Sequence, residues 1–305
     1  MPASAGTHRH ALAANGCHQR SQAQALWNNR EAPVPACTAA AHRACGWPVS
    51  LGSALVLYEY PFNESIRTML RLEHLFDRLG QLLPRDAAVD HHFALVTMFE
   101  IMDVAARADL KSDLLKELER HKSQLVAYRD NPQVSQEALD GMIARIDHAF
   151  SALNGQPGKA GQALAGHEWL TSVRSRIGIP GGTCEFDLPA YYAWQQRDAR
   201  RRRADLLGWV ATLEPLGQAL QLLLQLVRDA GVPHKVVSQA GHFQQSLPPG
   251  RSYQLLRLRI DDSDDLVPEI TGHRLMVSVR LVRPDGEGRL RPAPVDLPFE
   301  LTLCA

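Results

Sequence analysis

Arginines on predicted strands, a lone cysteine beside two glycines and a run of four arginines are the residues whose types and spacing could do chemistry. Arg257 and Arg259 alternate with Leu256, Leu258 and Ile260, so on a strand the guanidinium groups share one face and the apolar side chains the other. Arg280 stands between Val279 and Leu281 in a second alternating segment. If these strands lie close, the three arginines form one basic patch on a folded sheet. Such a patch suits an acidic or carboxylate-bearing peptide, which guanidinium recognises in bidentate fashion. The competing reading is ordinary outward-facing charge that keeps the surface soluble.

Cys184 follows Gly181-Gly182-Thr183 and could serve a thiol-dependent enzyme as nucleophile, with backbone amides as an oxyanion site. That chemistry also needs a positioned base. No histidine is marked out for it, so a cysteine packed as a small hydrophobe is the expectation. The glycine pair fits neither G-x-G-x-x-G nor G-x-x-x-x-G-K-S/T, and no phosphate cradle is expected. Arg200 to Arg203 could contact phosphate, as in a nucleic-acid-binding protein, or a membrane surface. The run has no interleaved aromatics and is flanked by Asp198 and Asp205, which favours a solvated helix start. His91-His92 lacks any metal-ligand spacing and is expected in capping and surface roles. Asp261, Asp262, Asp264 and Asp265 lack the glycine and final glutamate of a calcium loop and read as a hairpin turn. No cofactor and no metal are expected.

The chain has 305 residues, 45% of them hydrophobic, enough for a proper core without disulfides. Lysine plus arginine equals aspartate plus glutamate at 33 each, which argues against a protein that coats nucleic acid. Five cysteines at irregular gaps suit neither a disulfide framework nor a metal knuckle, and point to a reducing cytoplasm. The longest apolar run, Leu220 to Val227, is short and broken by Gln221 and Gln225, so no membrane insertion is expected.

Residues 1–54 are rich in Ala, His, Gln, Asn and Pro without periodicity, and read either as a disordered leader or as a non-native one, translation in the second case starting near Val49 or Val56. Residues 55–61 form a strand, and Asn63 caps the helix that follows. Helical periodicity then continues over 62–232: a helix bounded by Gly80 and Pro84, a second carrying Phe93, Val96, Phe99 and Met102 on one face, a third over 109–129, a fourth from Ser135, and a fifth within 161–177. Residues 176–194 make a glycine-hinged corner, a short extended piece, and a helix capped by Asp187 with Pro189 in its first turn. Such a joint usually links differently built parts. After Pro233 the period becomes two, with strands about Leu256–Ile260, Val277–Leu281 and Leu297–Leu303. The fold class is therefore α+β: an α-helical bundle over 62–232, and a small antiparallel β domain over 233–305 joined by the strand at 55–61.

Several ordered segments resemble the ZapD family, whose members associate with the bacterial FtsZ ring. They are Val56-Leu-Tyr-Glu-Tyr-Pro-Phe-Asn-Glu-Ser-Ile-Arg-Thr-Met-Leu-Arg71, Leu114-Leu-Lys-Glu-Leu-Glu-Arg120 and Ile179-Pro-Gly-Gly-Thr-Cys-Glu-Phe-Asp-Leu-Pro189, followed by Trp209-Val-Ala-Thr-Leu-Glu-Pro-Leu-Gly-Gln-Ala-Leu220 and Ile270-Thr-Gly-His-Arg274. The resemblance implies a non-enzyme, a homodimer that binds the C-terminal tail of FtsZ in a basic cleft and cross-links protofilaments at midcell. Arg107 and Arg280 stand at matching arginines of that cleft, and Arg274 and Arg257 fall on basic positions of similar segments. Arg259 is carried by its strand face alone. Other basic positions of the family are replaced here, for example around Glu168 and Met276.

Overall fold

The computed structural model describes residues 55–106, 110–261 and 265–305. The leader expected over 1–54, Arg107, and the acidic turn residues Asp262 and Asp264 lie outside them. The architecture is α+β. Among the described residues the chain divides into two compact units, 71–222 and 55–70 with 223–305.

The helical unit contains most of α1 (Glu64–Leu82), α2 (Ala88–Ala105), α3 (Leu110–Val126), α4 (Gln136–Asn154), α5 (Gln162–Ala165), α6 (Glu168–Ile177), α7 (Pro189–Gln195), α8 (Ala199–Val210) and the first part of α9 (Glu214–Asp229). Asn63 caps α1, its Oδ1 accepting from the Ile66 amide at 2.8 Å. α1 runs through Gly80 and stops only before Pro84, which disfavours helix at the residue preceding it. Ser135 caps α4 as expected, accepting from the Ala138 amide. The helix expected within 161–177 is two, because the His167 ring accepts from the Leu170 amide and restarts the chain as α6. α2 packs through Ala94, Leu95, Met98, Ile101 and Met102 rather than through Phe93, which is 53% exposed. A helix apolar on all sides leaves its inward face to the neighbours it meets.

Three expectations for residues 176–194 are corrected. Ile179 to Leu188 is not extended but a chain of tight turns: the Gly182 amide donates to Ile179, Cys184 to Gly181, and Leu188 to Cys184. Gly181 makes this possible with φ +71, and at Gly182 a Cβ would meet the Arg176 carbonyl oxygen at 2.7 Å. The helix cap is Leu188, without a side-chain bond, while Asp187 pairs with Arg176 at 3.4 Å. The corner joins α6 to α7, both inside the helical unit, so it does not mark a boundary between differently built parts.

α8, a 3-10 turn (Ala211–Leu213) and α9 form one helical stretch, Ala199–Asp229, whose most apolar window reaches a mean hydropathy of 1.2. That corrects the expectation of no run of membrane-spanning length. Leu206, Val210, Leu213, Leu216, Leu220, Leu223 and Val227 along it are buried within the protein, as in a core helix.

The β unit holds β1 (Leu55–Pro61), β2 (Val232–Val237), β3 (His242–Ser246), β4 (Leu255–Asp261), β5 (Val267–His273), β6 (Met276–Pro284), β7 (Leu290–Pro292) and β8 (Pro298–Cys304). All pairings are antiparallel. One sheet has the order β1-β4-β8-β2; the other has β3-β6-β5, with β7 beside the end of β6. β1 thus joins the C-terminal strands by pairing with β4, Tyr58 opposite Leu258. Pro233 and Pro268 sit on the edge strands β2 and β5, where a missing amide costs little. Leu256, Leu258 and Ile260 of one sheet and Val277, Val279 and Leu281 of the other fill one core with Phe299, Leu301 and Leu303.

Candidate basic site

Strand alternation now decides where each arginine points. The apolar residues of β4 and β6 meet in the shared core, so Arg257 and Arg259 face outward from the first sheet and Arg280 outward from the second. The two sets lie on opposite faces of the sandwich. The single patch of Arg257, Arg259 and Arg280 therefore does not form.

Arg257 is the most enclosed. Its Nε donates to Glu59 Oε1 at 3.1 Å from the neighbouring strand β1. Glu59 also receives Arg228 of α9 on both oxygens, at 2.8 and 2.6 Å. This carboxylate is only 15% exposed, so two guanidinium groups share one well-covered partner. The end of α9 covers this part of the sheet's outer face, where Thr302 and Cys304 are buried as well. Burial raises the Cys304 thiol pKa. Arg228 escaped the sequence reading because it lies 169 residues from its partner.

Arg259 is open to solvent on the uncovered half of the same face. It pairs across the ladder with Glu300 at 3.2 Å, and Lys235 of β2 flanks Glu300 on the other side.

On the second sheet, Arg280 stands between His242 of β3 and Glu269 of β5. Its Nε donates to Glu269 Oε2 at 2.8 Å, and its Nη2 reaches the same oxygen. Ser278, Thr271 and Gln244 form the next row of this polar face. The β5–β6 hairpin closes through Arg274 and Leu275, both exposed. The Arg274 guanidinium has no partner among the described residues. From Met276 to Arg280 the strand advances ~13 Å, so Arg274 and Arg280 bracket one solvent-facing hairpin. The alternation of β6 gave Arg280 its direction. The neighbours His242 and Gln244 had no such signal, because β3 carries polar residues on both faces.

The run Arg200 to Arg203 is not simply a solvated helix start. Asp198 caps α8, and Arg201 stays exposed beside it at 3.3 Å. Arg202 is buried: its guanidinium bonds His91 Nδ1 at 2.9 Å and the carbonyls of Gln195, Arg197 and Asp86. Arg203 bonds the carbonyls of Leu83 and Pro84 and the Asp86 carboxylate at 2.5 Å. Two of the four cations are thus consumed in clamping the α1–α2 connection, and these bonds are why the charge of the buried Arg202 is tolerated inside.

His91 is correspondingly a buried residue rather than a surface one. Nδ1 accepts from Arg202, which puts the ring proton on Nε2; that atom is buried without a partner. Burial lowers the His91 pKa, and Arg202 adds to the shift. Burial also lowers the pKa of His92, whose Nδ1 meets the Tyr191 hydroxyl at 2.7 Å. These rings adjoin an aromatic cluster of Tyr191, Trp169, Trp194 and Trp209. Cys184 is half-buried, with its amide and carbonyl both used in turn bonds.

The sequence family described as ZapD, cell division protein, matches residues 70–280. The cell division protein ZapD of Ralstonia pickettii is 53% identical over 251 residues, which is 82% of this chain and 99% of that protein. The cell division protein ZapD of Cupriavidus necator is 55% identical over 251 residues, with the same shares of each chain.

Proposed function

Because the chain belongs to the ZapD family of cell division proteins, we propose that it binds the C-terminal tail of FtsZ and, as a homodimer, cross-links protofilaments in the cytoplasm at the midcell division ring. In this reading it is not an enzyme, and it works by holding two polymers together. The observation that carries the reading is the β5–β6 hairpin, which presents Arg274, without a partner among the described residues, and an outward Arg280 on one polar sheet face. Guanidinium groups in that setting suit a carboxylate-rich, flexible segment. Arg259, on the other sheet and held by Glu300, lies outside this site, and Arg257 supports the sheet by holding Glu59.

A two-fold dimer would carry two equivalent sites, and a filament would offer many tails. Weak single contacts then add up through effective concentration, so each site need not bind tightly. Sedimentation of GTP-assembled FtsZ with and without the protein tests the reading. Extra pelleted polymer, lost when the FtsZ tail is deleted, is the expected result. Unchanged pelleting, together with no binding to a tail peptide, removes the proposal.

A further inference from the structure

We infer that Glu269 is an internal stand-in for the tail: its carboxylate holds Arg280 in the free protein, yields it to an external carboxylate, and so sets the affinity of this site for acidic partners. This rests on the tail-binding reading above and adds the residue that tunes it.

Glu269 lies directly opposite Arg280 in the β5–β6 ladder, on the solvent face of the second sheet. It accepts from Nε at 2.8 Å and from Nη2 as well. Those are the donors that a ligand carboxylate would use. The side chains of the pair remain 52% and 36% exposed, and pairs so open to water are weak enough to exchange. Glu59 provides the contrast: only 15% exposed and shared by Arg228 and Arg257, it is not placed to let go.

The stand-in has two opposing effects. It keeps the Arg280 side chain extended over the face, which reduces the ordering cost when a ligand arrives. It also occupies the guanidinium, and the apparent affinity falls by the fraction of sites so occupied. A carboxylate beside the incoming one adds repulsion. The repulsion disappears and the competition weakens in Glu269→Gln, which keeps only a neutral carbonyl acceptor for Arg280.

The test is fluorescence anisotropy of a labelled FtsZ tail peptide with the full chain and its Glu269→Gln, Glu300→Gln and Arg280→Glu variants. Glu269→Gln should tighten binding about two- to fivefold, the range expected from removing one exposed pair. Glu300→Gln, on the other sheet, should leave affinity unchanged, and Arg280→Glu should lose it. Unchanged or weaker binding by Glu269→Gln, with Arg280→Glu still defective, overturns the inference and leaves the proposed function standing. Equal tightening by Glu300→Gln reduces the effect to net charge and also overturns it. Wild-type binding by Arg280→Glu overturns both the site and the stand-in.

Discussion

Arg202 of α8 donates its Nε–H to Nδ1 of His91 in α2 across 2.9 Å, and both side chains are buried. A fixed cation is thus held inside the helical unit by a neutral ring and three backbone carbonyls, with no carboxylate on that guanidinium among the described residues. The arrangement ties the start of α2 and the α1–α2 connection to α8.

Removing that cation should therefore be costly. Arg202→Ala strands the carbonyls of Asp86, Gln195 and Arg197 and the His91 acceptor, and should cost about 3–5 kcal/mol. Arg201→Ala, at an exposed position one residue away, should stay within about 0.5 kcal/mol. Urea denaturation followed by tryptophan fluorescence measures both, since Trp194 lies 6.4 Å from His91. Equal effects would show that the run is a surface feature.

The same pair makes stability depend on pH. The fold favours neutral His91, so its folded pKa lies below the ordinary 6.5. As pH falls below that value the unfolded chain takes up the proton first, and the folded state loses ground until its own lowered pKa is reached. The stabilisation is whole above about 6.5. His92 and His121, lowered by burial, act in the same direction. The melting temperature should drop between about pH 7.5 and 5.5. His91→Gln, which keeps an acceptor for Arg202, should show a shallower drop. Parallel slopes would contradict this.

The joint between α9 and β2 has no spare volume. A Cβ on Gly231 would lie 2.5 Å from Thr302 Cγ2 and 2.7 Å from Cys304 Sγ. Gly231→Ala should destabilise the β unit by about 1–3 kcal/mol through overpacking. Hydrogen exchange should show faster opening of β2 and β8. Unaltered protection of those strands would mean that the sheet edge yields freely.

Much of this was legible in the sequence, for identifiable reasons. Asn63 and Ser135 sit before apolar periodic runs, so the starts of α1 and α4 were readable. β4, β6 and β8 alternate cleanly because one face of each lies in the core. β2 and β3 were not readable: β2 is an edge strand exposed along most of its length, and β3 mixes polar residues on both faces. Alternation told which arginines point outward but not that β4 and β6 belong to different sheets. The fates of Arg202 and Arg203 were hidden because their partners include backbone carbonyls, and those partners lie as far as 120 residues away.

The two outward arginines of the first sheet should separate cleanly. Arg257→Ala removes a partner of the well-covered Glu59 and should lower stability by about 1 kcal/mol, with little change in tail binding. Arg259→Ala breaks only an open pair and should leave stability unchanged within about 0.5 kcal/mol. Thermal melts and peptide titrations on the same samples compare them. A large binding loss in Arg257→Ala without a stability loss would move the site to the first sheet.

Titration calorimetry of an FtsZ tail peptide into the wild-type chain, Arg280→Glu and Arg201→Glu tests the central claim most directly. The account predicts that Arg280→Glu weakens binding at least about tenfold, as reversing a contacting charge should, while Arg201→Glu stays close to wild type. The reverse order, or no measurable heat with the wild-type chain, would contradict it.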